Sequence, residues 1–390
     1  MHRHRTTKLY LTRLTLLCLR LGAAAIPCSG NASVAVGAPS SDTAYAQPQR
    51  AVEIGAGRKL NLYCIGAAVG PSSGAGLATP ATAVRVAATR LPTVIFESGL
   101  SDWSFTWALV QPRVAQWTRA CSYDRAGLGF SDAARRAGTS ANAVADLHQL
   151  LHRAAIAPPY ILVGHSLGGL YIRMYQTLYP TEVAGLVLID PVLEDSTLRL
   201  DQQRSGAETQ RLFKQVSAYR RCADQASRQG ATTAWQARCI EPDDQRYSGA
   251  LNVARRTIAQ QSSYQRAQLS EALHYANGVS QTQARAAGRG SDNLSKQIPV
   301  QILSAPRGDT EETRLWLSLH QAAAARSARG SQSTIANAGH YIQLDAPDQV
   351  VEAVRRVLAS VQDGEAATLC AVWPVQSTGA PATAHRAESN

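Results

Sequence analysis

Short apolar runs closed by glycine or proline alternate along this chain with longer segments whose apolar residues recur every three or four positions. PTVIFESG (Pro92–Gly99), PYILVGHS (Pro159–Ser166), VAGLVLIDP (Val183–Pro191) and IPVQILSA (Ile298–Ala305) carry almost no polar alternation. They read as strands covered on both faces. RKLNLYCIGA (Arg58–Ala67) instead alternates Leu60, Leu62 and Cys64 with polar neighbours, as a half-buried strand does. ACSYDRAGLGFSD (Ala120–Asp132) is a strand leading into a glycine-rich turn, and QSTIANAG (Gln332–Gly339) is the last strand. Between them, Val144, Leu147, Leu150 and Leu151 mark one helical face, GGLYIRMYQTLYP follows Ser166 with helical spacing, and Val350, Val351, Val354, Leu358 and Val361 mark the final helix. Strands alternating with helices predict a mostly parallel sheet flanked by helices.

The rhythm breaks between Val192 and Gln297, where the chain is Gln/Arg-rich and helical without a clear strand. Some hundred residues between two late strands of one sheet predict a helical cap over one edge. The domain reading is therefore a leader over 1–46, a first core part over 50–191, the cap over 192–297, a last core part over 298–363 and a flexible tail over 364–390. Ala68–Arg90, rich in Ala, Gly, Ser, Thr and Pro, reads as a surface insertion between two strands.

The leader orders its residues as an export signal does: basic MHRHRTTKLYLTR, apolar LTLLCLRLGAAAI, then small residues up to AYAQ (Ala44–Gln47), a small-x-small cleavage site. Arg20 interrupts the apolar run, which is too short to span a membrane. Export makes disulfides admissible, and Cys222 and Cys239 bracket a short helical segment that a bridge would close; two unrelated thiols fit the sequence equally well. The formal charge of +11 is almost all arginine, with lysine only at Lys8, Lys59, Lys214 and Lys296. It is spread thinly, with no basic run interleaved with aromatics, which speaks against nucleic acid as a partner.

Gly164-His165-Ser166-Leu167-Gly168 places a serine between glycines, after a strand and before a helix. In that context the serine sits on a sharp turn where neighbouring side chains would clash with the crossing helix, and its hydroxyl stands above the sheet edge. Ser166 is the candidate nucleophile, with the Leu167 N–H as one oxyanion donor. An aspartate at this position would have pointed to dehalogenase or epoxide hydrolase chemistry; serine argues against both.

With this elbow, VIFESGLSDWSFTW, CSYDRAGLGFSD, VAGLVLIDP and ANAGHYIQLDAPDQVVEAV, the chain resembles the α/β-hydrolases, particularly single-domain esterase and lipase-like members, over about Arg58 to Val361. The resemblance implies that His340, in the loop between the last strand and last helix, is the general base. It implies a second oxyanion donor at the Leu100 N–H, where ESGL replaces the usual His-Gly-x and puts Ser98 at the histidine position. The acid has two main candidates. Asp190 ends a strand before Pro191; Asp309 follows the next strand, but Asp309-Thr-Glu-Glu312 also reads as a capping box. Asp190 is favoured, with Glu194 and Asp195 behind both. Asp124, Arg125 and Ser131 read as builders of a tight turn, and Trp103, Phe105 and Trp107 as either an acyl-pocket floor or core. His148 and His152, four apart on a helix, read as a solvated face rather than a metal site. The expected activity is hydrolysis of a small-molecule carboxylic ester through an acyl-enzyme, with no metal or organic cofactor required. Amide hydrolysis or acyl transfer by the same serine is the alternative, and a non-catalytic binding module on this fold is the rival from a different class.

Overall fold

Apolar runs with β-branched residues become the centre of one eight-stranded sheet. The computed structural model describes residues 42–67, 91–193, 196–228, 232–288 and 297–372. The strands are β1 (Arg50–Glu53), β2 (Lys59–Ile65), β3 (Thr93–Glu97), β4 (Ala120–Tyr123), β5 (Tyr160–His165), β6 (Val183–Ile189), β7 (Val300–Ser304) and β8 (Gly330–Thr334), in the order β1-β2-β4-β3-β5-β6-β7-β8. β1–β2 and β2–β4 pair antiparallel and every other pair is parallel. β3, β5 and β7 are buried along their whole length, which is why their sequences lack alternation.

Each face of the sheet carries its own core. On one side Leu147, Leu150, Leu170, Tyr171 and Leu319, from helices Ser140–Arg153, Leu167–Leu178 and Thr310–Ala324, pack over Leu162, Leu188 and Ile302. On the other, Val350, Val354 and Val357 of helix Pro347–Val372 pack with Val94, Val163 and Val187. That helix continues past the expected boundary at Asp363, through EAATLCAV, a run dominated by good helix formers. Between β6 and β7 the chain forms helices Ser196–Gln203, Ala207–Arg228, Thr233–Cys239, Gly249–Ala259 and Ser262–Gly288. Helix Ser262–Gly288 is fastened to the core: the Ser270 hydroxyl accepts from the Gly138 N–H at 2.9 Å.

The leader boundary also differs from the sequence reading. Residues 42–46, assigned to the leader, form a single 3-10 turn whose Tyr45 is buried, stacks edge-on against Tyr63 at 4.9 Å and donates to Gln111 Oε1 at 3.0 Å. The folded body thus begins ahead of residue 50, because an aromatic ring with a satisfied hydroxyl closes the core there. The low-complexity segment 68–90, Glu194 and Asp195 lie outside the described residues, as does the leader up to residue 41.

Cys222–Cys239 is a disulfide within the helical insertion. A second bridge, Cys64–Cys121, joins β2 to β4 across 57 residues of sequence. It was invisible beforehand because strand adjacency brings the two cysteines together, not sequence proximity. Closing a loop of that length lowers unfolded-chain entropy by an amount worth about 4 kcal/mol. Replacing Cys64 and Cys121 by alanine is expected to lower the free energy of unfolding by about 2–4 kcal/mol in urea denaturation.

Candidate active site

The turn after β5 sets the site. Ser166 adopts φ 52° and ψ −118°, a conformation costly for a residue with a side chain. Two close approaches hold it there. A Cβ at Gly164 would stand 2.6 Å from the Gly168 carbonyl oxygen, and one at Gly168 would stand 2.5 Å from the Glu97 carbonyl oxygen. The Ser166 N–H donates to the Ile189 carbonyl at 3.0 Å, and the Ser166 carbonyl accepts from the Val192 N–H at 2.9 Å, so the strand behind also clamps the turn.

His340 reaches the serine from the loop after β8. Its Nε2 is 2.9 Å from Ser166 Oγ, and its Nδ1 is 2.7 Å from Asp190 Oδ2. Asp190 stands at the end of β6 with φ 39° and is 2% exposed. Its other oxygen, Oδ1, accepts from the Ala305 N–H at 3.1 Å and from Trp316 Nε1–H at 2.8 Å. Burial alone would push this carboxyl up, but hydrogen bonds from His340 and Trp316 prevail and hold its pKa below the ordinary value. Trp316 in turn packs at a tilt against the buried His320, whose ring nitrogens meet the Pro191 carbonyl at 3.0 Å and Ser304 Oγ at 2.7 Å. Burial pushes the His320 pKa down to about 4, so it stays neutral beneath the Asp190 turn.

Asp309 is elsewhere. It is the N-cap of helix Thr310–Ala324, accepting from the Glu312 N–H at 2.9 Å, and it pairs with Arg204 at 2.8 Å. The cap bond and the guanidinium together lower its pKa. His148 stacks on Tyr179 with centroids 3.8 Å apart and meets Glu182 Oε1 at 3.2 Å.

Leu100 and Leu167 line a cavity of about 500 Å³ together with Ser166 and His340. Leu167 opens the helix after the elbow, so its N–H is one of the first-turn donors without an intrahelical acceptor. The Leu100 loop is held from below by Arg125, a residue read as turn-building from sequence. Its guanidinium donates to the Ser98 carbonyl at 2.8 Å and the Gly99 carbonyl at 2.6 Å. It also pairs with Glu97 at 2.7 Å and with Glu271, on the helical insertion, at 2.6 Å. Burial opposes the charge of Arg125, but the two carboxylates keep it firmly protonated. Glu271 Oε2 further accepts from the Ser101 N–H at 2.9 Å. The insertion therefore helps fix the loop that carries Leu100. The Asp-Arg after β4 was the available signal, but Glu271 lies 146 residues away in sequence and gave none. Asp124 and Ser131 do build the turn: Asp124 accepts from Ser104 N–H, Phe130 N–H and Asn61 Nδ2–H, each at 2.9 Å, and the Ser131 hydroxyl donates to the Asp124 carbonyl. Trp103 and Phe105 line the cavity, whereas Trp107 is fully buried and donates to Ser98 Oγ at 3.0 Å. Glu271→Gln keeps the size but weakens the ion pair. It is expected to lower kcat roughly tenfold with KM little changed, and to lower the melting temperature by several degrees. Steady-state kinetics and a thermal melt check both.

Comparisons with known proteins bear on the family and the fold. Residues 94–353 match the model of the Alpha/beta hydrolase family. The chain belongs to the alpha/beta hydrolase family. This family member is 34% identical over 103 residues to the uncharacterized protein YqjL of Bacillus subtilis, a match covering 26% of this chain and 41% of that protein. The chain thus spans less than half the length of that relative. Among solved structures it resembles DBJA, with a TM-score of 0.58, 14% identity, and coverage of 81% of this chain and 99% of that one. It also resembles a thermophilic esterase from Thermogutta terrifontis, with a TM-score of 0.51, 18% identity, and coverage of 81% and 99%. At such identities the likeness carries the fold, and the chemistry has to be argued from the site.

Proposed function

We propose that this hydrolase cleaves a carboxylic ester through an acyl-enzyme formed on Ser166. The observation that carries the reading is the hydrogen-bonded series Ser166 Oγ–His340–Asp190, with 2.9 Å and 2.7 Å between its members. In the first step His340 Nε2 takes the hydroxyl proton as Oγ attacks the ester carbonyl, while Asp190 holds Nδ1–H in place and stabilises the imidazolium. The Leu100 and Leu167 N–H groups take the developing oxyanion. The imidazolium returns the proton to the departing alcohol. Water, activated by the same histidine, then releases the carboxylic acid. An ester oxygen can leave with only partial proton transfer from the imidazolium, whereas an amide nitrogen must be protonated before its bond breaks. Ester hydrolysis is therefore favoured over amide hydrolysis.

The two disulfides support work in an oxidising compartment, in keeping with the export-signal order of the sequence ahead of residue 42. No helix among the described residues is long and apolar enough to cross a membrane. The test compares 4-nitrophenyl butyrate with the matching 4-nitroanilide. Turnover of the ester with a kcat/KM at least about 1,000-fold above that of the anilide upholds the assignment; equal turnover would shift it to amide hydrolysis.

A further inference from the structure

The cavity beside Ser166 holds a carboxyl group that the proposed chemistry does not use. Asp102 follows Leu100 by two residues on the same loop and lines the cavity with Ser166 and His340. It is 8% exposed, and among the described residues no hydrogen bond reaches its carboxylate; Oδ2 is buried outright without a partner. The other acidic side chains lining this space are all neutralised. Asp190 faces His340, Glu208 pairs with Arg211 and Arg307, and Glu241 pairs with Arg255. Arg255 itself lies over the rings of Phe105 and Tyr247 at 5.1 and 5.4 Å. A buried carboxyl without donors is costly, and such groups in native proteins ordinarily have a partner.

The surroundings say what partner would fit. His165 Nδ1 is 3.8 Å from Asp102 Oδ2. His165 Nε2 meets the His340 carbonyl oxygen at 3.0 Å and so must carry the proton there, which leaves Nδ1 a bare acceptor, also buried without a partner. Two acceptors thus face each other with no donor between them. Gly99 packs closely against both, since a Cβ there would lie 2.8 Å from Nδ1 and 3.2 Å from Oδ2. Around them stand aromatic rings: Tyr219 and Tyr264 from the insertion and Tyr341 from the last loop all line the cavity. Arg211, Arg255 and Arg307 also line the cavity, but each is paired with Glu208 or Glu241, so a carboxylate beside aromatic rings is left to attract a cation.

We infer that Asp102, with Tyr219, Tyr264 and Tyr341, forms a subsite for an organic ammonium group carried by the substrate beside the scissile ester. That this cation belongs to a substrate rests on the esterase reading; that it binds does not.

Burial raises the Asp102 pKa to about 7, aided by the charges of Glu241 and Glu271 and opposed by Arg125 and Arg255. The carboxyl is therefore charged above neutrality and protonated below it, so ammonium binding strengthens as pH rises from 5.5 to 8. His165, the other close titratable group, is pushed to about 3 by burial and by the neighbouring His340, and stays neutral across that window. The phenols of Tyr219, Tyr247, Tyr264 and Tyr341 are all raised and stay protonated. His340 also faces the cavity, and its contribution is common to variants that differ only at residue 102. Native protein keeps a proton between the ordinary 3.8 and about 7 that the unfolded chain releases. Above pH 7 the charged group therefore weighs against the fold, and Asp102→Asn is expected to raise the melting temperature at pH 8 more than at pH 5.5.

The test titrates choline and its neutral isostere 3,3-dimethylbutan-1-ol into Ser166→Ala and into Ser166→Ala/Asp102→Asn by calorimetry at both pH values. In Ser166→Ala, choline is expected to bind at least about tenfold more tightly than the alcohol at pH 8, and the preference to shrink at pH 5.5. Asparagine at 102 is expected to remove most of it. Equal binding of the two compounds at pH 8, or a preference that survives in the asparagine variant, overturns the inference. Should the double variant not fold, the comparison of two ligands at two pH values in Ser166→Ala still decides. A parallel assay of wild type on choline butyrate and 3,3-dimethylbutyl butyrate separates the two claims. Cleavage of both without any cation preference leaves the esterase reading standing and removes the subsite. Choline binding with no ester cleaved does the reverse.

Discussion

Ser166→Ala is expected to lower kcat on 4-nitrophenyl butyrate by about 10,000-fold or more while leaving KM within a few-fold. The loss is large because, in the proposed mechanism, Oγ forms the acyl bond; without it, only the proposed donors at Leu100 and Leu167 and the cavity would remain to assist water. The substitution removes a single oxygen from a residue with φ 52° and ψ −118°, and alanine there bears the same backbone strain. The fold is therefore retained, which circular dichroism and an unchanged melting temperature would verify. A variant that keeps more than a tenth of the wild-type rate would mean that Ser166 is not the nucleophile.

Asp190→Asn is expected to be nearly as damaging, by about 1,000- to 10,000-fold in kcat, through a different route. Oδ1 of Asp190 accepts from both Ala305 N–H and Trp316 Nε1–H. An asparagine must turn its carbonyl oxygen toward those two donors, which leaves its NH2 facing His340 Nδ1. The imidazole then has to offer Nδ1 as an acceptor and carry its proton on Nε2. That is the tautomer unable to accept the Ser166 proton. Asp309→Asn tests the competing assignment. Asparagine remains a good N-cap for helix Thr310–Ala324, and the exposed pair with Arg204 is worth little, so activity within about twofold and stability within about 0.5 kcal/mol are expected. The opposite pattern, with Asp309→Asn inactive and Asp190→Asn active, would move the acid to residue 309.

Much of the fold was readable in the chain because its signals are local. VIFESG, YILVGH and VAGLVLID announce strands buried on both faces, and Gly164-His165-Ser166-Leu167-Gly168 carries its own steric reason within five residues. Choosing between Asp190 and Asp309 was harder, because both follow strands that end at the same edge of the sheet. What separates them in space is the indole of Trp316, the Ala305 N–H and the reach of His340, none of which has a local sequence signature. Arg125 was read as part of a turn, and Asp124 and Ser131 next to it do build that turn. Its hold on the Ser98 and Gly99 carbonyls depends on Glu271, which comes from the helical insertion. Tyr45 looked like part of a leader because its neighbours are small and its partners, Tyr63 and Gln111, belong to other elements. The Cys64–Cys121 bridge follows the same logic, since only the antiparallel pairing of β2 with β4 puts the two cysteines side by side.

The measurement closest to the central claim is peptide-level mass spectrometry after brief exposure to a fluorophosphonate, which bonds covalently to serine only where the hydroxyl is activated. The account predicts a stoichiometric adduct on the peptide carrying Ser166, with labelling greatly slowed in His340→Ala. No adduct at Ser166, or labelling there as fast without His340 as with it, would contradict an activated nucleophile and leave the elbow without its proposed role.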